Sequence, residues 1–337
     1  MKILITTGIY PPDIGGPAKY ALNLSREFEK KGHKVKVVAY ELEKKIPIGL
    51  RHILFLFRVV WHLLRYDAVL ALDTISVGVP TVLAARFLGK RVAVRIGGDH
   101  LWEGYVERSG ELAPLRAFYI NPREFSFKEK LIFKAVKWLA KTADYLIFST
   151  VWQRDIWRLP YDIDLSKTAI VENYYGEREV SKQPSEKVFV GSARVLKWKN
   201  LKRLKNAFGI AMQKAPQAKL FLDNLPPDEF EEKIKNSYAV VLASLGDVSP
   251  NLIMEAIKFG KPFIITKENG ITERIRDIAV FVEPSDEYDI AEKIVWLCNN
   301  ENYRIQSEKI RNFSFTHSWS EIADEFLYFL SGENPKF

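Results

Sequence analysis

Cysteine is nearly missing from this chain: Cys298 is the only one, so no internal disulfide can form and the fold rests on packing in what reads as a reducing compartment. Long hydrophobic runs are missing too. The most apolar stretch, Ile53 to Leu64, is interrupted by Arg58 and His62 and is too short to span a bilayer. The opening Met1-Lys2-Ile3-Leu4-Ile5 runs straight into glycine and proline, without the longer apolar segment of a secretory leader. A cytoplasmic chain is expected, with the inner membrane face as its one peripheral station. No His/Cys cluster stands out, so no metal and no other cofactor is expected. The absence of a zinc finger, an RNP-type aromatic motif and an arginine-rich arm removes nucleic acid as a partner.

What is present points to two α/β domains. The 337 residues are about twice an ordinary domain, and 47% apolar residues suffice for packed cores. Short apolar runs (Lys2–Thr6, Lys34–Ala39, Ala68–Leu72, Arg91–Ile96, Tyr145–Phe148, Ala169–Val171) alternate with amphipathic stretches of helical length such as Lys19–Lys31, Arg51–Arg65, Pro80–Phe87 and Lys128–Lys141. That alternation predicts parallel sheets with crossover helices. Gly32 stands where the first helix needs a C-cap. After a polar stretch from Tyr174 to Lys187 with linker composition, a second series follows, with strands near residues 188–191, 219–222, 239–243, 263–266 and 279–282. The expected boundaries are 1–175 for an N-terminal domain, rejoined by a closing helix in 318–337, and 188–317 for a C-terminal domain. Charge divides unevenly: residues 1–175 hold 27 Lys+Arg against 18 Asp+Glu, and the remainder 23 against 24. A basic first half suits an acidic acceptor or an anionic membrane surface; a merely basic exterior is the alternative.

Three segments carry chemistry. Gly8 to Ala18 follows the first strand and contains Gly15 and Gly16, which let a backbone approach a ligand closely; it lacks the G-x-G-x-x-G spacing of a dinucleotide site. Ala193 to Asn200 follows the first strand of the second half, and Arg194 and Lys199 there could converge on one diphosphate, whose charge grows as it leaves. Asp247-Val248-Ser249-Pro250-Asn251-Leu252-Ile253-Met254-Glu255 opens a helix, capped by Ser249 or Asn251 with Pro250 in its first turn. The helix N-terminus would face a phosphate, Glu255 a ribose, and Asp247 sugar hydroxyls. Each segment also has a plain structural reading: a tight turn, a solvated basic helix start, and two acids eight apart by chance.

Taken together and in this order, the segments resemble the retaining glycosyltransferases of family 4 (glycosyl transferases group 1). The resemblance runs from Lys2–Val38 through the Arg194/Lys199 pair, Asp247 to Pro262, and Asn269-Gly270-Ile271-Thr272-Glu273, to Trp319 and its helix. It implies the GT-B fold: two Rossmann-like domains with parallel sheets facing across a cleft. It implies a donor site in which Arg194 and Lys199 hold the diphosphate of a nucleoside-diphosphate-sugar such as a UDP-sugar. Glu255 would hold the ribose, Asp247 with Ser249, Pro250, Asn251 and Leu252 the transferred sugar, and Gly15 and Gly16 would shape the opposite wall. Asp247 stands where the family usually has Glu, one methylene longer. In place of the family's His after the fourth strand, the chain reads Gly97-Gly98-Asp99-His100-Leu101-Trp102-Glu103. Asp99 is expected to act beside Arg194, Lys199 and Asp247 in catalysis, with His100, Trp102 and Glu103 on the acceptor side. Asn173 is expected to be structural.

The implied reaction is hexosyl transfer with retention to a glycan or lipid-linked acceptor, as in polysaccharide biosynthesis, without a metal. The stretches 51–65 and 128–141 are apolar with cationic punctuation. They read either as crossover helices with a solvated basic face or as peripheral contacts with an anionic membrane. Residues 103–127 read either as an apolar loop against the acceptor or as a packed irregular segment. Two rival readings stay open: a catalytically degenerate sugar-nucleotide-binding protein, and a sugar-nucleotide epimerase of the same fold.

Overall fold

The computed structural model describes every residue other than Ile14, Pro122, Val180, Lys182, Gln183, Ala193 and 333–337; of Leu42, Lys44 and Ile48 it describes the backbone. Ile14, Pro122 and Ala193, which stand inside segments singled out above, and the end of the closing segment therefore lie outside the described residues. The chain divides into two compact units, residues Met1–Leu101, Glu124–Tyr174 and His317–Phe337 in one, and Trp102–Arg123 with Tyr175–Thr316 in the other.

The elements follow in chain order as β1 (Lys2–Thr7), α1 (Gly16–Lys30), β2 (Lys34–Ala39), α2 (Ile48–Leu63), β3 (Ala68–Ala71), α3 (Gly78–Phe87), β4 (Arg91–Ile96), α4 (His100–Ser109), α5 (Leu115–Ile120), α6 (Phe127–Thr142), β5 (Tyr145–Phe148), α7 (Val151–Arg158) and β6 (Thr168–Ile170). The first unit's six strands are all parallel, in the order β2-β1-β3-β4-β5-β6. Because both faces of such a sheet are covered, its inner strands are mostly apolar runs rather than alternating ones: in β3 all four residues are buried, whereas the edge strand β2 alternates Lys and Val over its first four residues. Gly32, at φ 82°, follows the C-cap of α1 as expected, and its N–H bonds the carbonyl of Glu29. Only glycine takes this left-handed conformation without strain.

The second unit continues with β7 (Lys187–Gly191), α8 (Leu201–Met212), β8 (Ala218–Phe221), α9 (Pro227–Lys235), β9 (Ala239–Leu242), α10 (Asn251–Lys258), β10 (Phe263–Thr266), α11 (Thr272–Ile275), β11 (Val280–Val282), α12 (Glu287–Cys298) and α13 (Asn300–Arg311); α14 (Trp319–Ser331) returns to the first unit. Its five parallel strands run β11-β10-β9-β7-β8. α14 packs on α1, where Ile322, Ala323 and Phe326 join a core with Leu24, Phe28 and Ile5.

The segment read as an apolar loop differs most from expectation. Residues 102–123 carry most of α4 and all of α5, and they belong with the second unit. Gly104 and short apolar spacing concealed these helices in the sequence. Burial now accounts for them: Val106, Leu115 and Phe118 are buried.

Candidate functional site

In an open parallel sheet, ligands gather at the carboxyl edge where the strand order reverses. In the second unit that point is β7, flanked by β9 on one side and β8 on the other. Lys199 lies on the loop after β7 and Asp247 on the loop after β9, 48 positions apart, and the fold pairs them: Lys199 Nζ stands 2.9 Å from Asp247 Oδ2. The same carboxylate oxygen accepts the hydroxyl of Ser244 at 2.7 Å. Both partners are largely buried, and the Lys199 ammonium also lies 4.2 Å from the centre of the Trp198 ring.

Three devices hold this pair. Asn200, at φ 60°, turns the chain into α8 and donates its side-chain amide to the carbonyls of Ala243 at 2.9 Å and Pro284 at 2.7 Å. One residue thereby ties the loop after β7 to the ends of β9 and β11. Asp247 is fixed by its backbone, donating to Glu268 and accepting from Gly270, in a bridge to Asn269. The Asn269 side chain accepts from Ile271 N–H at 3.0 Å and donates to Thr266 O at 2.7 Å, so the Asn269–Thr272 turn is rigid. Beneath the pair, Trp102 packs on Trp198 with ring centres 5.6 Å apart and donates its indole N–H to Ala113 O at 2.9 Å. Gly246 is required by that contact: a Cβ there would stand 2.7 Å from Leu115 Cβ and 3.0 Å from the Trp102 ring. Trp102, only 2% exposed, is a floor under the ion pair and offers no face to an acceptor, which corrects its expected acceptor-side position. Glu103 follows on the same helix, half-buried.

The other donor-side residues are distributed around this centre. α10 begins after Pro250 as its N-cap, with no side-chain cap bond, so neither Ser249 nor Asn251 closes the helix start as expected. Glu255 stands one turn inside α10, half-buried; Leu252 is half-buried and Asn251 exposed. Arg194 is exposed on the loop after β7, and its guanidinium makes no hydrogen bond or ion pair with a described residue.

Asp99 sits in the first unit and is 1% exposed. Its carboxylate accepts the indole N–H of Trp157 at 2.7 Å, while Gln153 donates to Gly98 O at 2.8 Å. The loop after β4 is thus stapled to α7. Nearby, Arg95 is buried, stacked on Tyr20 at 3.9 Å and bonded to Asn173 Oδ1 at 2.7 Å.

The first unit has its own reversal point, at β1 between β2 and β3, and there a cavity of about 910 Å³ opens. Gly8, Ile9 and Asp13 line it from the loop after β1, Asp73 to Ser76 from the loop after β3, and His52, His100 and Lys128 from helices. Asp73 orders its loop, accepting from Ser76 Oγ and from Val77 N–H. Tyr40 donates to Ser76 O and meets His52 Nδ1 at 3.1 Å; burial pulls the His52 pKa below its ordinary value, against the opposing bond to Ser76. His100, exposed, is the one expected acceptor-side residue on this cavity. Gly15 caps α1 and Gly16 begins it, and Gly8, at the start of the same segment, packs against Asp73. A second cavity, about 710 Å³, lies between α11 and the end of α13. Neither is lined by Arg194, Lys199 or Glu255.

Among the described residues no three His, Cys, Asp or Glu side chains gather as a metal site. The Asp162-Ile163-Asp164 sequence commits its carboxylates locally, Asp162 to Lys141 at 2.8 Å and Asp164 to Ser166.

Comparison with known proteins bears on the same regions. The family model described as "Glycosyl transferases group 1" matches residues 220–313, inside the second unit. None of the curated proteins matches the chain in sequence. Among solved structures, Alr3699/HepE of Anabaena, crystallised with UDP and glucose, is similar at 16% identity and a TM-score of 0.67, covering 99% of this chain and 100% of that one. Sucrose-phosphate synthase of Thermosynechococcus elongatus is similar at 11% identity and a TM-score of 0.70, covering 97% and 98%. A putative UDP-N-acetylglucosamine 2-epimerase of Listeria monocytogenes is similar at 12% identity and a TM-score of 0.61, covering 99% and 98%. At these identities the likeness concerns fold: the chain has the two Rossmann-like, parallel-sheet units of the GT-B fold, and its second unit carries the glycosyl transferases group 1 match.

Proposed function

We propose that this chain is a glycosyltransferase that moves a hexose from a nucleoside-diphosphate-sugar to a glycan or lipid-linked acceptor, with retention at the anomeric carbon. The observation that carries the reading is the meeting of Lys199 and Asp247 at the strand-order reversal of the very unit that contains the group 1 match. Lys199 is assigned to the donor diphosphate, joined by exposed Arg194. The α10 start contributes backbone N–H groups, Glu255 the ribose contact, and Asp247 the sugar contact. UDP is the nucleotide we favour, since HepE was crystallised with it.

In this reaction the bond from C1 to the diphosphate breaks as the acceptor oxygen bonds C1 on the same face, and the acceptor's proton passes to a donor phosphate oxygen. The protein contributes fixed positive charge where negative charge grows, and orientation; no metal is invoked. The cavity at the first unit's reversal point is assigned to the acceptor, and Gly15 and Gly16, at the start of α1, to the wall opposite the donor. Work is placed in the cytoplasm. Asp99, buried against Trp157, is assigned to positioning the loop that carries His100.

Release of nucleoside diphosphate across a panel of sugar nucleotides is the test. Lys199→Ala and Glu255→Ala should each lower kcat/KM about 10²-fold or more, and near-normal turnover in either removes its role. Likeness to the putative epimerase favours one alternative. An epimerase returns an intact sugar nucleotide, so inverted sugar nucleotide without released sugar would decide for it.

A further inference from the structure

The first unit presents an apolar surface that packing within it does not use. α2 is apolar on two opposite sides. Phe55, Val59 and Leu63 are fully buried. At about 100° per residue, Leu50, Ile53, Leu54, Phe57, Trp61 and Leu64 fall in one stripe opposite them. All six are exposed, Phe57 by 66% and Trp61 by 61%. An ordinary crossover helix places polar residues on that side.

The stripe continues onto its neighbours. α2 packs on α3 and α3 on α6. α3 adds exposed Leu83 and Phe87, and α6 adds exposed Phe127, Leu131 and Trp138. Large contiguous apolar surface of this kind marks an interaction site.

Charge narrows the partner. Arg51, Arg58 and Arg65 run along one flank of the α2 stripe, and Lys128, Lys130 and Lys134 stand exposed on α6. Of these, Arg58 is paired with Glu41 and Glu43, and Arg65 lies over the Trp61 ring. α2 and α3 contain no acidic residue, and the only one in α6, Glu129, is buried in the capping box with Ser126. Two copies of so basic a face would repel each other. A surface of phosphate headgroups over acyl chains complements both its charge and its aromatic stripe.

We propose that the face formed by α2, α3 and α6 seats this protein on an anionic phospholipid bilayer, with Phe57 and Trp61 in the acyl boundary and the lysines of α6 against the phosphates. Attachment is interfacial, since no helix among the described residues is long and apolar enough to cross a membrane. The cavity at the β1 reversal point is lined from the first turns of α2 and α3 and from α6, so a lipid-borne ligand would reach it from this side.

Co-sedimentation of the full chain with phosphatidylglycerol vesicles and with phosphatidylcholine vesicles, at low and high salt, tests the proposal. The expected result is binding to the former that weakens as salt rises. Lys130→Gln with Lys134→Gln should weaken it about 25-fold, about fivefold for each lysine. Phe57→Asp with Trp61→Asp should weaken it on the order of 10²-fold. Both positions are exposed, so the melting temperature should be unchanged, and a circular-dichroism melt verifies this. Absence of binding to phosphatidylglycerol vesicles at low salt overturns the proposal, as does wild-type binding by the doubly aspartate-substituted chain. A dimer in light scattering that the aspartates dissociate, without vesicle binding by the wild type, assigns the face to a second copy instead. Donor turnover plays no part in these readouts, so their outcome is separate from that of the glycosyl-transfer reading.

Discussion

Removing one member of the Lys199–Asp247 pair leaves the other largely buried beside Trp198. At 2.9 Å and an effective dielectric of about 20, the Coulomb attraction is about 6 kcal/mol before desolvation is subtracted. Desolvation consumes most of that, yet breaking such a pair from one side typically costs about 3–5 kcal/mol, because the survivor stays buried without its countercharge. Ser244 still donates to Asp247, so Lys199→Ala should cost about 3 kcal/mol. In a unit of about 160 residues that lowers its melting temperature by about 6–12 °C. Lys199→Met with Asp247→Leu removes both charges and should recover much of the stability while donor turnover stays at the level of the worse single variant. A double-mutant cycle by calorimetry and nucleoside diphosphate release separates the two quantities. A coupling energy within about 0.5 kcal/mol of zero would refute the reasoning, since the pair would then be too solvated to matter.

Three other substitutions probe the surrounding structure. Gly246→Ala drives a methyl group into Leu115 and the Trp102 ring; it should cost about 1–3 kcal/mol, read by urea unfolding, and an unchanged midpoint would mean α5 can move aside. Asp99→Ala strips the acceptor from the Trp157 indole and should cost about 2–3 kcal/mol, with kcat falling only as the folded fraction falls. A normal melt with kcat lost would instead place Asp99 at the reacting atoms. His317 is pulled down by burial, but Glu325 at 3.3 Å and the Asn173 carbonyl outweigh this and raise its pKa above the ordinary value. A raised folded-state pKa stabilises fully below about pH 6.5, the unfolded value, and the contribution is lost as pH climbs through the folded value. Melting temperature should therefore decline as pH rises above about 6.5, and His317→Gln should flatten that decline.

Much of the architecture was legible along the chain because a parallel strand buried on both faces is a continuous apolar run. β4, β5 and β10 begin and end where the runs do. α4 and α5 were not legible: their apolar residues fill gaps beside Trp102 and Trp198 rather than a helix-long stripe, so only the partner surface explains them. Lys199, Asp247 and Glu255 were marked as site residues by type and by resemblance. That Lys199 bonds Asp247 directly, while Arg194 stays in solvent and Asp99 turns inward to Trp157, was not written in their spacing.

By itself, the order of residues determined two α/β units, eleven strand positions and the loops on which charged groups stand, since local pattern and propensity act over a few residues. Which of those groups meet was decided by tertiary structure alone. β7 lies between β9 and β8, and this adjacency brings two loops 48 positions apart into one hydrogen bond. Strand adjacency is a long-range choice fixed by packing of whole sheet faces, and no window of sequence contains it.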